Sequence, residues 1–168
     1  MHILLTRPLE DSKELILRFS ALGHKVSHLP VIKVEPIKYD EPDYRQFKGV
    51  IFTSSNAIKN LDLTRVDKKI ECYCVGSATE KVAKLNGFQN IISAEGNVNN
   101  LKELIIQNFD SKNGSLLYIS GQVVSSRLDK DLITEGYSLK RLINYTVSST
   151  QEIKEEFRTE LKLSLIHI

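Results

Sequence analysis

Cysteine is nearly absent. Cys72 and Cys74 are the only two in 168 residues, and neither a Cys-x-x-Cys spacing nor a compact histidine cluster accompanies them. Two thiols make a poor metal site, and at i and i+2 of an extended segment they share a face without easy disulfide geometry. They are expected as small buried hydrophobes. His2, His24, His28 and His167 are scattered and read as surface or strand-end residues rather than catalytic ones. No metal site is expected.

Long apolar runs are missing too. Nothing approaches the roughly 20 residues that cross a bilayer, and Met1-His2 leads into Ile3-Leu4-Leu5 with no basic segment or cleavage site. The expected location is the cytoplasm, with no membrane partner. Charge of one sign is equally lacking: 23 Lys and Arg against 21 Asp and Glu leave +2, too balanced for the basic stripe that binds nucleic acid. An anionic ligand would need a local site. There is no G-x-G-x-x-G after a strand and no Walker-type loop, so no nucleotide cofactor is expected. A phosphoacceptor receiver would carry acids at its strand ends, where Thr53 and Gly76 stand instead.

What is present is an ordinary globular chain, 41% hydrophobic and 26% charged. Residues 2–6 form a short apolar run, and Leu15, Ile16, Phe19 and Leu22 follow at helical spacing until Gly23 stops the helix. The same unit recurs with helices over 77–86 and 126–135, stopped by Gly87 and Gly136. Further strands are expected over 26–31, 50–53, 71–75, 91–93, 116–119 and 139–146, with helices over 56–61 and 99–109. Apolar strands alternating with helices predict an α/β fold with parallel sheets. Residues 33–47, with Pro36, Pro42 and many charges, read as an interdomain crossover. The expected plan is two flavodoxin-like doubly wound domains. Residues 1–34 and 146–168 make a discontinuous, incomplete first domain, and residues 35–145 a complete five-stranded second one.

Ligands of open parallel sheets bind at the carboxyl ends of the strands. The turns there are small and polar: Thr6-Arg7-Pro8, Thr53-Ser54-Ser55-Asn56, Gly76-Ser77-Ala78-Thr79, Glu95-Gly96-Asn97 and Ser120-Gly121-Gln122. Several open directly into helices, whose free N–H groups suit carboxylate or phosphate. Ser54, Ser55, Ser77 and Thr79 also read as plain helix caps. Their clustering favours an edge that receives several anionic groups.

Read together, these turns resemble the uroporphyrinogen-III synthase family. The resemblance rests on Ile3-Leu4-Leu5-Thr6-Arg7-Pro8, Val50-Ile51-Phe52-Thr53-Ser54-Ser55-Asn56-Ala57 and Val75-Gly76-Ser77-Ala78-Thr79. Gly96-Asn97 ahead of Leu101, Leu117-Tyr118 ahead of Gly121, and Asn144-Tyr145-Thr146-Val147 extend it over residues 2–162. One departure is Ser125, where the family often carries arginine; Arg127 lies two positions on.

The resemblance implies a two-domain lyase of haem biosynthesis, monomeric when full length and needing no cofactor, whose cleft closes hydroxymethylbilane into uroporphyrinogen III. Water is lost, a spiro intermediate forms, and the last pyrrole ring inverts. The implied substrate contacts are Arg7, Thr53, Ser54, Ser55, Asn56, Ser77, Thr79, Gly96, Asn97, Ser120, Gly121 and Gln122. Tyr145 matches the tyrosine that assists departure of the hydroxyl; the competing reading is a buried hinge-strand ring with its hydroxyl at the surface. Thr79 divides between cap and contact, and Arg7 between pairing a carboxylate and tying the Pro8 loop to the other domain. A non-catalytic binding module for a polyanionic small molecule is the rival function.

In the family the chain returns to the first domain after the tyrosine strand and continues through further α/β units. The expectation is therefore a C-terminally truncated, inactive form. Leu163-Ser164-Leu165-Ile166-His167-Ile168 matches the translation of a transposon adapter used in library preparation and is expected not to be native; the competing reading is a native third strand.

Overall fold

The computed structural model describes residues 1–149; the adapter-like segment 163–168 lies outside them. The chain divides into two compact units, Met1–Glu35 with Val147–Ile168, and Pro36–Thr146.

In the first unit β1 (His2–Leu5) pairs in parallel with β2 (Lys25–His28), His2 facing Lys25 and Leu5 facing His28. α1 (Leu9–Ala21) connects them and carries Glu10 and Asp11 in its first turn, where negative charge meets the positive end of the dipole. Gly23, at φ 76°, supplies the left-handed residue that ends it. The sequence reading missed one strand. β3 (Ile32–Pro36) lies within what read as a crossover, and Ile32 and Val34 alternate with Lys33 and Glu35 in a period-2 pattern. The charges belong to an exposed strand, where Lys33 Nζ pairs with Glu35 Oε1 at 2.7 Å.

The second unit runs β4 (Phe47–Phe52), α2 (Ser55–Lys59), β5 (Glu71–Val75), α3 (Ser77–Leu85), β6 (Asn90–Ala94), α4 (Val98–Asn108), β7 (Ser115–Gly121), α5 (Leu128–Thr134) and β8 (Leu139–Ser149). Its sheet reads β8-β7-β4-β5-β6, all neighbours parallel. Counted from β4 the order is 3-2-1-4-5, so the chain reverses direction across the sheet between β4 and β7. That gap is the topological switch point.

Parallel strands buried on both faces read as unbroken apolar runs. Ile51, Tyr73, Leu116 and Tyr118 join Leu101 and Ile105 of α4 and Leu128 and Leu132 of α5 in one cluster. The alternate residues Val50, Phe52, Cys72, Cys74, Leu117 and Ile119 are also buried and point to the opposite face. The Cys72 and Cys74 sulfurs lie 3.7 Å apart. The bond to Cys74 and then burial push the Cys72 thiol up, which keeps it protonated and unreactive.

Four phenols, Tyr44, Tyr73, Tyr118 and Tyr137, are raised above the ordinary tyrosine value, in each case by burial first. In the unfolded chain they ionise near pH ~10. Their contribution to stability is therefore intact below that value and lost as pH rises through the folded values. In an alkaline titration, tyrosinate absorbance from these groups should appear together with loss of far-UV circular dichroism. Smooth ionisation of all six tyrosines with the fold intact would contradict this.

Candidate functional site

At the switch point the second unit holds a cavity of about 150 Å³. Thr53 and Ser54, leaving β4, form one wall, and residues 123–126, leaving β7, form another; Val98, Tyr118 and Tyr145 complete the lining. The Thr53 and Tyr118 hydroxyls are hydrogen-bonded at 3.1 Å. Burial raises the Tyr118 phenol, while the Thr53 bond and the Arg141 charge pull the other way. It enters the site as a neutral hydroxyl.

Tyr145 is only 8% exposed, and a β-bulge sets its direction. Ser120 faces Ile143, but Gly121 faces Tyr145, leaving Asn144 as the extra residue on β8. Asn144 anchors the bulge: its Nδ2 donates to the Ala57 carbonyl at 2.7 Å, and its own carbonyl accepts from the Ile37 N–H at 2.9 Å. The Gln122 N–H donates to the Tyr145 carbonyl at 2.9 Å. The Tyr145 ring lies over Gly121 so closely that a Cβ there would stand 2.8 Å from Cε2 and Cζ and 3.1 Å from the hydroxyl. Gly121 is glycine because the ring occupies the place of a side chain.

The cavity thus brings together Thr53, Ser54 and Tyr145 from the residues singled out by sequence; Gly121 lies against the Tyr145 ring, Gln122 is exposed and meets Tyr145 through its N–H, and Ser120 is buried one residue earlier in β7. Ser55 and Asn56 sit half-buried in the first turn of α2, which Ser54 caps by accepting from the Asn56 N–H at 3.3 Å. Ser77 is exposed at the start of α3, whereas Thr79 is buried and its N–H donates to the Gly76 carbonyl. No side chain caps α3, because Gly76 occupies the N-cap at φ 77°. Its leading N–H groups therefore suit an anion. Gly96 and Asn97 are exposed. Arg7, in the first unit, is exposed, and its carbonyl bonds the Ser12 hydroxyl at 3.2 Å and His28 Nε2 at 2.8 Å.

Asn97 spends its side chain on α4. Its carboxamide oxygen accepts from the N–H groups of Asn99 and Asn100, and Asn100 Oδ1 accepts from the Asn97 N–H, a reciprocal capping box. Asn97→Ala should lower stability by about 1 kcal/mol, read as an earlier urea midpoint at unchanged slope. A midpoint that does not move would show the box to be idle.

Sequence reasoning missed Tyr118 as a site residue, hidden in an apolar run, and Arg141. The Arg141 guanidinium reaches Ser120 Oγ and the Gly121 carbonyl, each at 2.8 Å, and the Gln122 carbonyl at 3.3 Å. The available signal was the basic pair Lys140-Arg141 early in β8, where strand alternation sends the two side chains to opposite faces, so that Lys140 is exposed and Arg141 half-buried. Among the described residues no group of three or more His, Cys, Asp or Glu side chains is arranged to hold a metal ion, and no helix is long and apolar enough to cross a membrane.

Comparison with known proteins follows the same direction. A family model described as uroporphyrinogen-III synthase HemD matches residues 13–168. A search of curated proteins finds no match. Among solved structures, the uroporphyrinogen-III synthetase of Helicobacter pylori 26695 is similar with a TM-score of 0.61 at 19% identity, over 96% of this chain and 68% of that one. A mutant uroporphyrinogen III synthase from the extremely thermophilic bacterium Thermus thermophilus gives 0.60 at 16% identity, over 89% of this chain and 64% of that one. At these identities the likeness is one of fold, and the chain spans about two thirds of each.

Proposed function

The chain belongs to the uroporphyrinogen-III synthase family, and on that premise we propose that the protein cyclises hydroxymethylbilane to uroporphyrinogen III, acting as a lyase of haem biosynthesis. The observation that carries this is the Tyr145 phenol. It is fixed by a bulge and a glycine, and it lines the switch-point cavity together with Thr53. That is where the carboxyl ends of the strands deliver ligand contacts.

The substrate carries acetate and propionate arms. In this reading the open N-terminus of α3, with Ser77 at its head, and the hydroxyls of Thr53, Ser54 and Ser55 receive carboxylates. Asn56, Thr79, Gly96, Asn97, Ser120, Gly121 and Gln122 shape the neighbouring turns, and Arg7 is a further carboxylate contact. Charged side chains are little used because backbone N–H groups at helix starts suffice. Tyr145 gives its proton to the departing hydroxyl, which leaves as water and generates an azafulvene cation, and the proton that the last pyrrole loses on ring closure restores the phenol. Attack by the substituted carbon of the last pyrrole gives the spiro intermediate, whose rearrangement inverts that ring. Closure without inversion competes in solution, so holding the bilane folded is the larger part of the task. The two-domain plan, residues 1–34 with 146–168 and residues 35–145, belongs to this proposal.

The test supplies freshly made hydroxymethylbilane to the protein expressed from its complete reading frame and separates type III from type I product by chromatography. Type III in excess of the uncatalysed closure supports the synthase. Retention of the bilane with type I product alone would favour the binding module. The same assay on the 168-residue chain tests the expectation that this length is inactive, and type III product from it would refute that expectation.

A further inference from the structure

We infer that Arg141 is a positioning residue that holds the seat of Tyr145, an inference that rests on the synthase reading above. Arg141 and Tyr145 lie on the same strand, on opposite sides of the Asn144 bulge. Both grip one short segment of β7 and its exit. Arg141 takes it from the side-chain direction, donating from Nε to Ser120 Oγ at 2.8 Å and from Nη2 to the carbonyls of Gly121 at 2.8 Å and Gln122 at 3.3 Å. Tyr145 takes it through the main chain, accepting from the Gln122 N–H, and through its ring, which lies on Gly121.

The guanidinium is itself held in place. Nη1 stands 3.8 Å from Asp129 Oδ2 in the first turn of α5, and Cζ lies 5.9 Å from the centre of the Tyr118 ring. That ring carries the hydroxyl bonded to Thr53. One planar cation therefore links the exit of β7, the start of α5 and the Thr53–Tyr118 pair, and of these the β7 exit and the Thr53–Tyr118 pair line the cavity with Tyr145. Nε and Nη2 are taken up by protein acceptors, Nη1 faces the Asp129 carboxylate, and the side chain is 23% exposed. This separates it from an arginine that binds a substrate carboxylate. The fork is essential to the role. Lysine keeps the charge but is a point donor and cannot hold three acceptors in fixed directions. If Gly121 and Gln122 shift, the ring resting on Gly121 shifts with them, and a misplacement of about 1 Å costs up to about a hundredfold in rate.

The experiment measures type III formation by Arg141→Lys and Arg141→Met in the protein from its complete reading frame, each alone and combined with Tyr145→Phe. Positioning predicts that both variants lower kcat about tenfold with KM within about twofold of wild type, and that neither lowers kcat further once the Tyr145 hydroxyl is gone. Should Arg141→Met fail to fold, Arg141→Lys decides alone, since it preserves length and charge. The inference is overturned if KM rises while kcat holds, if Arg141→Lys matches wild type, or if the losses simply add to that of Tyr145→Phe. Wild-type protein that makes no type III product overturns the synthase reading and this inference together. Any of the preceding three results in an active wild-type background overturns the inference alone.

Discussion

Tyr145→Phe should lower turnover about tenfold to a hundredfold with substrate binding almost unchanged, a loss of about 1.4 to 3 kcal/mol of transition-state assistance. The substitution removes a single oxygen. The phenylalanine ring keeps its contact with Gly121, and the main-chain bond from the Gln122 N–H is untouched. No hydrogen bond of the hydroxyl to another described residue is lost, so stability should stay within about 0.5 kcal/mol. The prediction thus separates two roles that sequence alone left open for this residue. A hydroxyl that assists departure of the substrate hydroxyl is needed only as the bond breaks, and its removal lowers kcat while KM holds. A ring that merely packs in the strand is served as well by Phe. The check is initial rates of type III formation across substrate concentration, with a urea midpoint on the same preparation. Unaltered turnover would leave Tyr145 as packing and assign catalysis to backbone positioning alone.

Much of the second unit was legible because its physics is local. The runs Val50-Ile51-Phe52, Cys72-Tyr73-Cys74 and Leu116-Leu117-Tyr118-Ile119 are what strands buried on both faces require. Gly23, Gly87 and Gly136, all at positive φ, stop helices through a preference that depends on one residue. The carboxyl-end turns were legible for the same reason. β3 escaped because its period-2 pattern is short, carries two charges and ends on Pro36, features shared with a crossover. The roles of Ser54 and Asn97 were only half visible: residues that cap a helix and residues that meet an anion are the same types at the same places. Arg141, Gly121 and Tyr145 could not be joined from sequence at all. Their relation depends on which residue of β8 faces Gly121, and a one-residue bulge decides it. Nothing local to Asn144 marks that bulge. Its anchors are the Ala57 carbonyl and the Ile37 N–H, both far away in the chain.

Gly121→Ala should be more damaging than Tyr145→Phe, although it adds one methyl group and touches no reacting atom. The backbone is not the obstacle, because Gly121 is absent from the glycines at positive φ and its conformation is open to alanine. The obstacle is the phenol. The added Cβ would stand 2.8 Å from Cε2 and Cζ of Tyr145, where carbon atoms prefer about 3.5 to 4.0 Å, so the two must part by roughly 1 Å. Gly121 cannot retreat easily, since its carbonyl is held by Arg141 and the following N–H by the Tyr145 carbonyl. The ring must yield, and the atoms in collision are those that carry the hydroxyl. A displacement of that size costs about a hundredfold in rate, and overpacking a buried contact adds about 1 to 3 kcal/mol of destabilisation. Tyr145→Ala supplies the control. With the ring removed, the Gly121→Ala methyl meets open space, so its cost in urea midpoint should vanish while turnover remains low. Should Gly121→Ala instead prove as active and as stable as wild type, the ring of Tyr145 does not rest where the bulge places it, and the site built around that contact fails with it.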